Sequence, residues 1–173
     1  MSRKKKATFK IIKASYPAKR YVSRKEVPRK KGKKLFELTE EWQIIYLYIV
    51  LGKGPLTCIQ TYPIGFRWDG ASVPPLGWFV MRITPGDASD MWSLPHDGGF
   101  RTEGFYKHHG QDGIPLIKLT GKHHFTFHEC NDFMRAIMEY SEEFNKRQIR
   151  WAYRIVDSKT FGKPHFGGPS PSA

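Results

Sequence analysis

His96 and Asp97 stand side by side in the stretch Asp90-Met91-Trp92-Ser93-Leu94-Pro95-His96-Asp97-Gly98-Gly99-Phe100. An imidazole near neutral pH serves as a base or a metal ligand, and a carboxylate binds a hard cation or orients a neighbour. The pair alone is equally at home as a satisfied histidine beside a helix-end aspartate. Asn131 adds to it. It falls four residues after Phe127, three before Met134 and seven before Met138, on or beside the apolar stripe of a helix. A buried amide without partners costs roughly 1–3 kcal/mol. Asn131 therefore either bonds to backbone or is aimed into a site with His96 and Asp97.

Asp69-Gly70-Ala71-Ser72 is the second candidate segment. Brought near His96, Asp69 and Ser72 would complete a Ser–His–Asp set, although no nucleophile-elbow pattern surrounds Ser72. Both side chains also suit Asx- and ST-type turns with their own backbone. His108, His109, His123, His124, His128 and Cys130 form a late cluster of soft ligands. Their spacing matches no zinc pattern, and His128 and Cys130, two apart on a helix, point in different directions. Zinc is not expected. A divalent cation beside Asp97 is the metal option kept open.

These residues need elements to hold them. Leu35 to Leu51 is rich in Ile, Tyr, Val and Trp and reads as one or two strands. Gly52-Lys53-Gly54-Pro55 is turn chemistry, and Leu56 to Tyr62 reads as the returning strand of a hairpin. Asp87 or Ser89 is placed to cap a short helix toward Phe100, which Pro95 is expected to kink or end. Residues 104–125 read as a glycine-rich excursion, with strands possible at Ile114–Leu119 and His123–Phe125. Thr126 and Glu129 form a T-x-x-E capping box ahead of Phe127, Cys130, Met134, Ile137, Met138 and Ser141 at helical spacing. A further helix is expected from about Asn145 to Val156, with Ile149, Ala152, Tyr153 and Val156 inward.

The charge is unevenly spread. The chain of 173 residues has a formal net charge of +13, and residues 1–34 hold 15 basic residues against Glu26 alone. Residues 35–173 hold 14 basic and 15 acidic residues. This predicts a near-neutral domain with a basic N-terminal arm, and argues against a domain wrapped all round on duplex DNA. Lys4, Lys5, Lys6, Lys19, Arg20, Arg24, Lys25, Arg29, Lys30, Lys31, Lys33 and Lys34 would bind polyanions by counterion release. Tyr16 and Tyr21 are placed to stack on single-stranded bases. An anionic membrane surface is the weaker alternative, because no amphipathic helix accompanies the lysines. Phe9, Ile11, Ile12 and Tyr16 are able to pair as a strand. The basic start is not followed by an apolar stretch, so no secretory signal is expected. The run Ile44–Leu51 is too short to span a bilayer. Two cysteines, Cys58 and Cys130, suit buried thiols in a reducing compartment.

Gly65-Phe66-Arg67-Trp68-Asp69-Gly70-Ala71-Ser72-Val73-Pro74, then His96-Asp97, then Thr126 to Met138, then Trp151-Ala152-Tyr153-Arg154 to Gly162 follow one another in the order of a known pattern. In these blocks, over roughly residues 35–162, the chain resembles a mostly phage and prophage group, domain of unknown function family 1353. Trp68 stands where that pattern has Thr, Phe100 where it has Tyr, and Asn131 where it has Asp. The order His-Asp, then a later helical Asp, is also loosely similar to phospholipase A2. That likeness implies His96 as base, Asp97 as cation ligand and Asn131 as orienter. A lost carboxylate at 131 and a lost phenol at 100 argue against full hydrolytic activity.

Together these readings predict a single α+β domain over 35–162: a small antiparallel sheet from about 35–66 against helices near 88–100, 127–144 and 145–157. The arm 1–34 and a loose tail 163–173 are expected outside the core. The functional expectation is a phage-encoded accessory or virion-associated protein, in the host cytoplasm during infection or in the virion, with a hydrolase-like or ligand-binding site. The rival is a structural adaptor that holds nucleic acid or an acidic virion protein through residues 1–34.

Overall fold

Trp42-Gln43-Ile44-Ile45-Tyr46-Leu47-Tyr48 alternates strictly. Trp42, Ile44, Tyr46 and Tyr48 are buried, and the residues between them are half-buried. That period of two is a strand with one face on a core. The computed structural model describes residues 8–14, 22, 24–28, 35–50, 54–68, 70, 90–101, 108–110 and 125–158. The alternating segment is β4 (Trp42–Val50), and β5 (Gly54–Tyr62) returns antiparallel to it. Their register sets Tyr46 opposite Cys58 and Ile44 opposite Gln60, so both strands bury the same phase.

β1 (Thr8–Ala14) pairs antiparallel with the other edge of β4, and β7 (His108–Gly110) with β5. The order of this sheet is β1-β4-β5-β7. A second sheet, β2-β3-β6, joins β2 (Arg24–Val27), β3 (Leu35–Leu38) and β6 (Arg67–Trp68). Glu37 in its middle strand accepts from Lys25 Nζ at 2.7 Å and Arg67 Nε at 2.6 Å. Among the described residues three helices pack on this framework: α1 (Asp90–Arg101), α2 (Phe127–Ser141) and α3 (Lys146–Val156). The chain is a single α+β domain.

The helix starts follow their caps. Thr126 accepts from the Glu129 N–H, and the Thr126 N–H donates back to Glu129 Oε2 at 2.9 Å. Asn145 does the same with Gln148 at the head of α3. Glu129 is also buried, and Tyr48 donates its hydroxyl to Oε1 at 2.8 Å. One carboxylate thus caps α2 and ties it to β4. Burial first, then that hydrogen bond, push the Tyr48 phenol well above its ordinary range.

Several expectations need correction. The sheet expected from residues 35–66 is two sheets, and residues 8–14 and 24–27 belong to them. The arm is therefore built into the domain in these parts. The reason is side-chain phase: Ile11 is buried at 7% exposure and Phe9 half-buried, while Lys10 points to solvent. Phe9 lies 5.1–5.2 Å, between ring centroids, from Tyr48, Phe125 and Phe133. Val22 is buried as well. Truncation at Leu35 would remove an edge strand and part of the aromatic core. Pro95 does not end its helix, which continues to Arg101. Phe125 is not in a strand, and the other residues of the expected strands 114–119 and 123–125 lie outside the described residues, as does the tail 163–173.

Phe9→Ala is expected to cost roughly 3 kcal/mol, lowering Tm by about 6–12 °C. An unchanged Tm would mean that β1 is dispensable. Lys25 first, then Arg67, hold the Glu37 carboxyl below its ordinary 4.5. Its stabilising contribution is then present above that value and lost as pH falls through the lowered one. The Tm difference between the native chain and Glu37→Gln should accordingly shrink below pH 4.5.

Candidate functional site

α1 breaks a general expectation. A helix buried all round is normally apolar all round. Here Asp90 through Gly98 are buried except Met91, and the buried set includes Asp90, Ser93, His96 and Asp97. Asp90, Ser93 and Asp97 follow each other at i, i+3 and i+7, with His96 beside them, so α1 carries a polar stripe inside the molecule. Charged residues are seldom fully buried unless paired. Asp90 pairs with Arg24 of β2, whose guanidinium also lies 4.0 Å above the Phe36 ring. That pair fixes the acidic start of α1 against the second sheet, at the helix end whose dipole favours an anion.

His96 and Asn131 meet. The His96 Nε2–H donates to Asn131 Oδ1 at 3.2 Å, and the Asn131 Nδ2–H donates to Asp157 Oδ1 at 3.0 Å. Asp157 is the C-cap residue of α3, and the same oxygen accepts from His128 Nδ1 at 2.8 Å. The polarity of this chain follows from its chemistry. A carboxylate only accepts, so the amide must turn its NH₂ to Asp157 and its oxygen to His96. His96 then carries a proton on Nε2, and the basic position of the neutral ring is Nδ1. Asp97 Oδ1 stands 3.6 Å from Nδ1. Asn131 is fully buried, His96 and Asp97 are less than a tenth exposed, and His128 stands at the surface.

The close packing of α1 has a local cause at Gly98. A Cβ there would sit 2.9 Å from Tyr62 Cε1 and 3.4 Å from both Tyr62 Oη and Phe66 Cζ. Tyr62 is fully buried and cannot give way. The residue after His-Asp is therefore glycine so that the helix can lie on β5. Gly70 has a similar explanation: its φ is +74°, and a Cβ would meet the Phe36 ring at 2.9 Å.

Of the residues expected in the site, His96, Asp97 and Asn131 are brought together. Asp69 and Ser72 lie outside the described residues. Of the twelve basic residues expected to bind nucleic acid, only Arg24 and Lys25 are described, and both form ion pairs within the domain, with Asp90 and Glu37. The Lys25 side chain is nevertheless well exposed, whereas Arg24 is mostly covered. Among the described residues, no three of His, Cys, Asp and Glu gather as a metal site. His128 is exposed and Cys130 buried, on different sides of α2. His123 and His124 lie outside the described residues. Burial pushes the Cys58 thiol up to about 11 and Cys130 higher still, so neither supplies a thiolate near neutral pH.

Sequence reasoning misses Asp157, Asp90 and Ser93, and it places His128 in a histidine cluster rather than beside Asp157. The i, i+3, i+7 spacing of Asp90, Ser93 and Asp97 was a usable signal. Asp157 offered none, since it meets Asn131 across 26 residues. A second polar group flanks the chain: Tyr153 donates to Asp132 Oδ1 at 2.9 Å, and Arg135 Nη2 lies 3.2 Å from the same oxygen. No family model matches the chain, and no curated protein or solved structure is significantly similar to it.

Asn131→Leu removes both hydrogen bonds and strands a buried imidazole N–H. The expected loss is about 2–3 kcal/mol, read by urea unfolding. Imidazole ¹⁵N shifts should also move His96 from the Nε2–H form to a tautomer mixture. Unaltered shifts would show that Asn131 does not set the ring.

Proposed function

We propose that this chain is a phage-encoded accessory or virion-associated protein with a hydrolase-like His–Asp site, His96 acting as general base. The observation that carries this reading is the orientation of the His96 ring. Asn131 occupies Nε2–H, so the lone pair of the neutral ring is at Nδ1, next to Asp97. In that arrangement Nδ1 takes a proton from water as the water attacks an electrophilic carbon or phosphorus. The carboxylate 3.6 Å away offsets the charge that forms on the ring. The order and spacing of the D-G-A-S, H-D and capping-box segments support the phage assignment by resemblance.

Two features set the level of activity. Asn131 orients the ring but does not stabilise an imidazolium as a carboxylate would. Asp157 supplies a carboxylate one amide further out. The phospholipase likeness gives Asp97 a cation-ligand role; among the described residues no third His, Cys, Asp or Glu joins it and His96. No helix among the described residues is long and apolar enough to cross a membrane.

A second reading is a non-catalytic adaptor for nucleic acid or an acidic virion partner. The concentration of 15 basic residues in positions 1–34 favours it. In that case the His96–Asn131–Asp157 chain is only a latch between α1, α2 and the end of α3.

The deciding experiment returns the carboxylate to the imidazole. Asn131→Asp alone would face Asp157 with a second anion, so it is combined with Asp157→Asn. On phospholipid mixed micelles and on a small activated ester, the exchanged pair should hydrolyse on the order of a hundredfold faster than the native chain. Adding His96→Gln should abolish that gain without a matching loss of Tm. No hydrolysis in the exchanged pair, or equal rates with His96→Gln, would leave the latch reading.

A further inference from the structure

α3 reads Lys146-Arg147-Gln148-Ile149-Arg150-Trp151-Ala152-Tyr153-Arg154-Ile155-Val156, with four cations and no anion. Its two faces are cleanly divided. Ile149 and Ala152 are buried, and Lys146, Arg147, Arg150, Trp151 and Arg154 are all exposed. Lys146, Arg150 and Arg154 succeed one another at i, i+4 and i+8, so they stack along one side of the helix. Arg147 lies beside them, and Trp151 flanks the row at 42% exposure.

Nothing in the stability of α3 calls for this pattern. Like charges at i, i+4 destabilise a helix. Lys146 and Arg147 occupy its first turn, where the dipole favours anions and disfavours cations. An exposed tryptophan adds nothing to a core already closed by Ile149 and Ala152. The remainder of the chain after residue 34 is close to neutral, so the row is a local feature. Glu142 and Glu143 precede the helix, and Asp157 after it is already bonded to Asn131 and His128. Each oddity is resolved by an outside polyanion. Phosphates relieve the like-charge repulsion and suit the N-terminal end of the helix. Arginine forks match phosphate oxygens, and an indole offers a face to an unpaired base.

We propose that the exposed face of α3 binds single-stranded nucleic acid, with Lys146, Arg147, Arg150 and Arg154 on the phosphates and Trp151 stacked on a base. None of these five residues belongs to segment 1–34 or to the His96–Asn131–Asp157 chain. Single strands fit better than duplex, because a duplex hides the base faces that Trp151 would meet. A lipid surface fits less well, because the apolar side of α3 is committed to the core and cannot enter a bilayer.

The test uses the full chain and a fluorescein-labelled 20-nucleotide oligothymidylate, with anisotropy read across a salt series. Arg150→Gln with Arg154→Gln should weaken binding about tenfold at low salt and reduce the salt slope by roughly 1.4, two phosphate contacts at ~0.7 each. Trp151→Ala should weaken binding about fivefold with the slope unchanged, and Trp151→Phe should restore most of it. All these side chains are exposed, and circular dichroism checks that each variant folds. Unchanged affinity in the double arginine variant would overturn the proposal and assign binding to residues 1–34. So would tighter binding to phosphatidylserine vesicles than to the oligonucleotide, or preference for duplex of the same length.

Discussion

A primary amide with no solvent access must have both of its ends satisfied, and Asn131 is such a group. Its oxygen needs a donor and its nitrogen an acceptor, and α2 supplies neither at that position. His96 comes from α1 and Asp157 from the end of α3, so one side chain of α2 joins three elements. Leaving either end open would cost more than a typical surface interaction contributes. The alignment of the helices is therefore tied to hydrogen-bond chemistry as well as to the fit of apolar side chains. The direction of each bond is fixed too, because the carboxylate can only accept.

A second constraint holds the helices to the sheets. Glu129 caps α2 and accepts from Tyr48, and Arg24 meets Asp90 at the start of α1 while covering Phe36. Both carboxylates are buried, and each lies at a helix N-terminus where an anion is favoured. Among the described residues, buried polar groups thus gather at helix N-termini and on one stripe of α1, with Asn131 and Asp132 on α2 and Gln60 on β5 besides. The aromatic residues Phe9, Tyr46, Tyr48, Phe125 and Phe133 fill the space between α2 and the first sheet.

Local patterns were legible in the sequence. The capping box at Thr126, the helix starting near Asn145, the antiparallel pairing of the strands on either side of Gly52-Lys53-Gly54-Pro55 and the burial of Asn131 all follow from spacing over a few residues. The alternation of β4 follows in the same way. β1 was harder to place because its lysines dominate the composition. Phe9 and Ile11 are interleaved with Lys10 and Lys13, so a count of charge hides a strand with one buried face. Arg24 was assigned to a polyanion because its partner Asp90 lies 66 residues away. The link from Asn131 through Asp157 to His128 was invisible for the same reason: only the folded chain brings Asp157 to both.

The amide at the centre of the buried chain has one more consequence. An amide neither gains nor gives up a proton at ordinary pH, whereas imidazoles on either side of a carboxylate readily do. Asn131 therefore acts as an insulator between His96 inside and His128 at the surface. It transmits position but not charge. A proton exchanged at His96 would therefore pass through Nδ1, on the side of Asp97, and not along the hydrogen-bonded chain through Asn131.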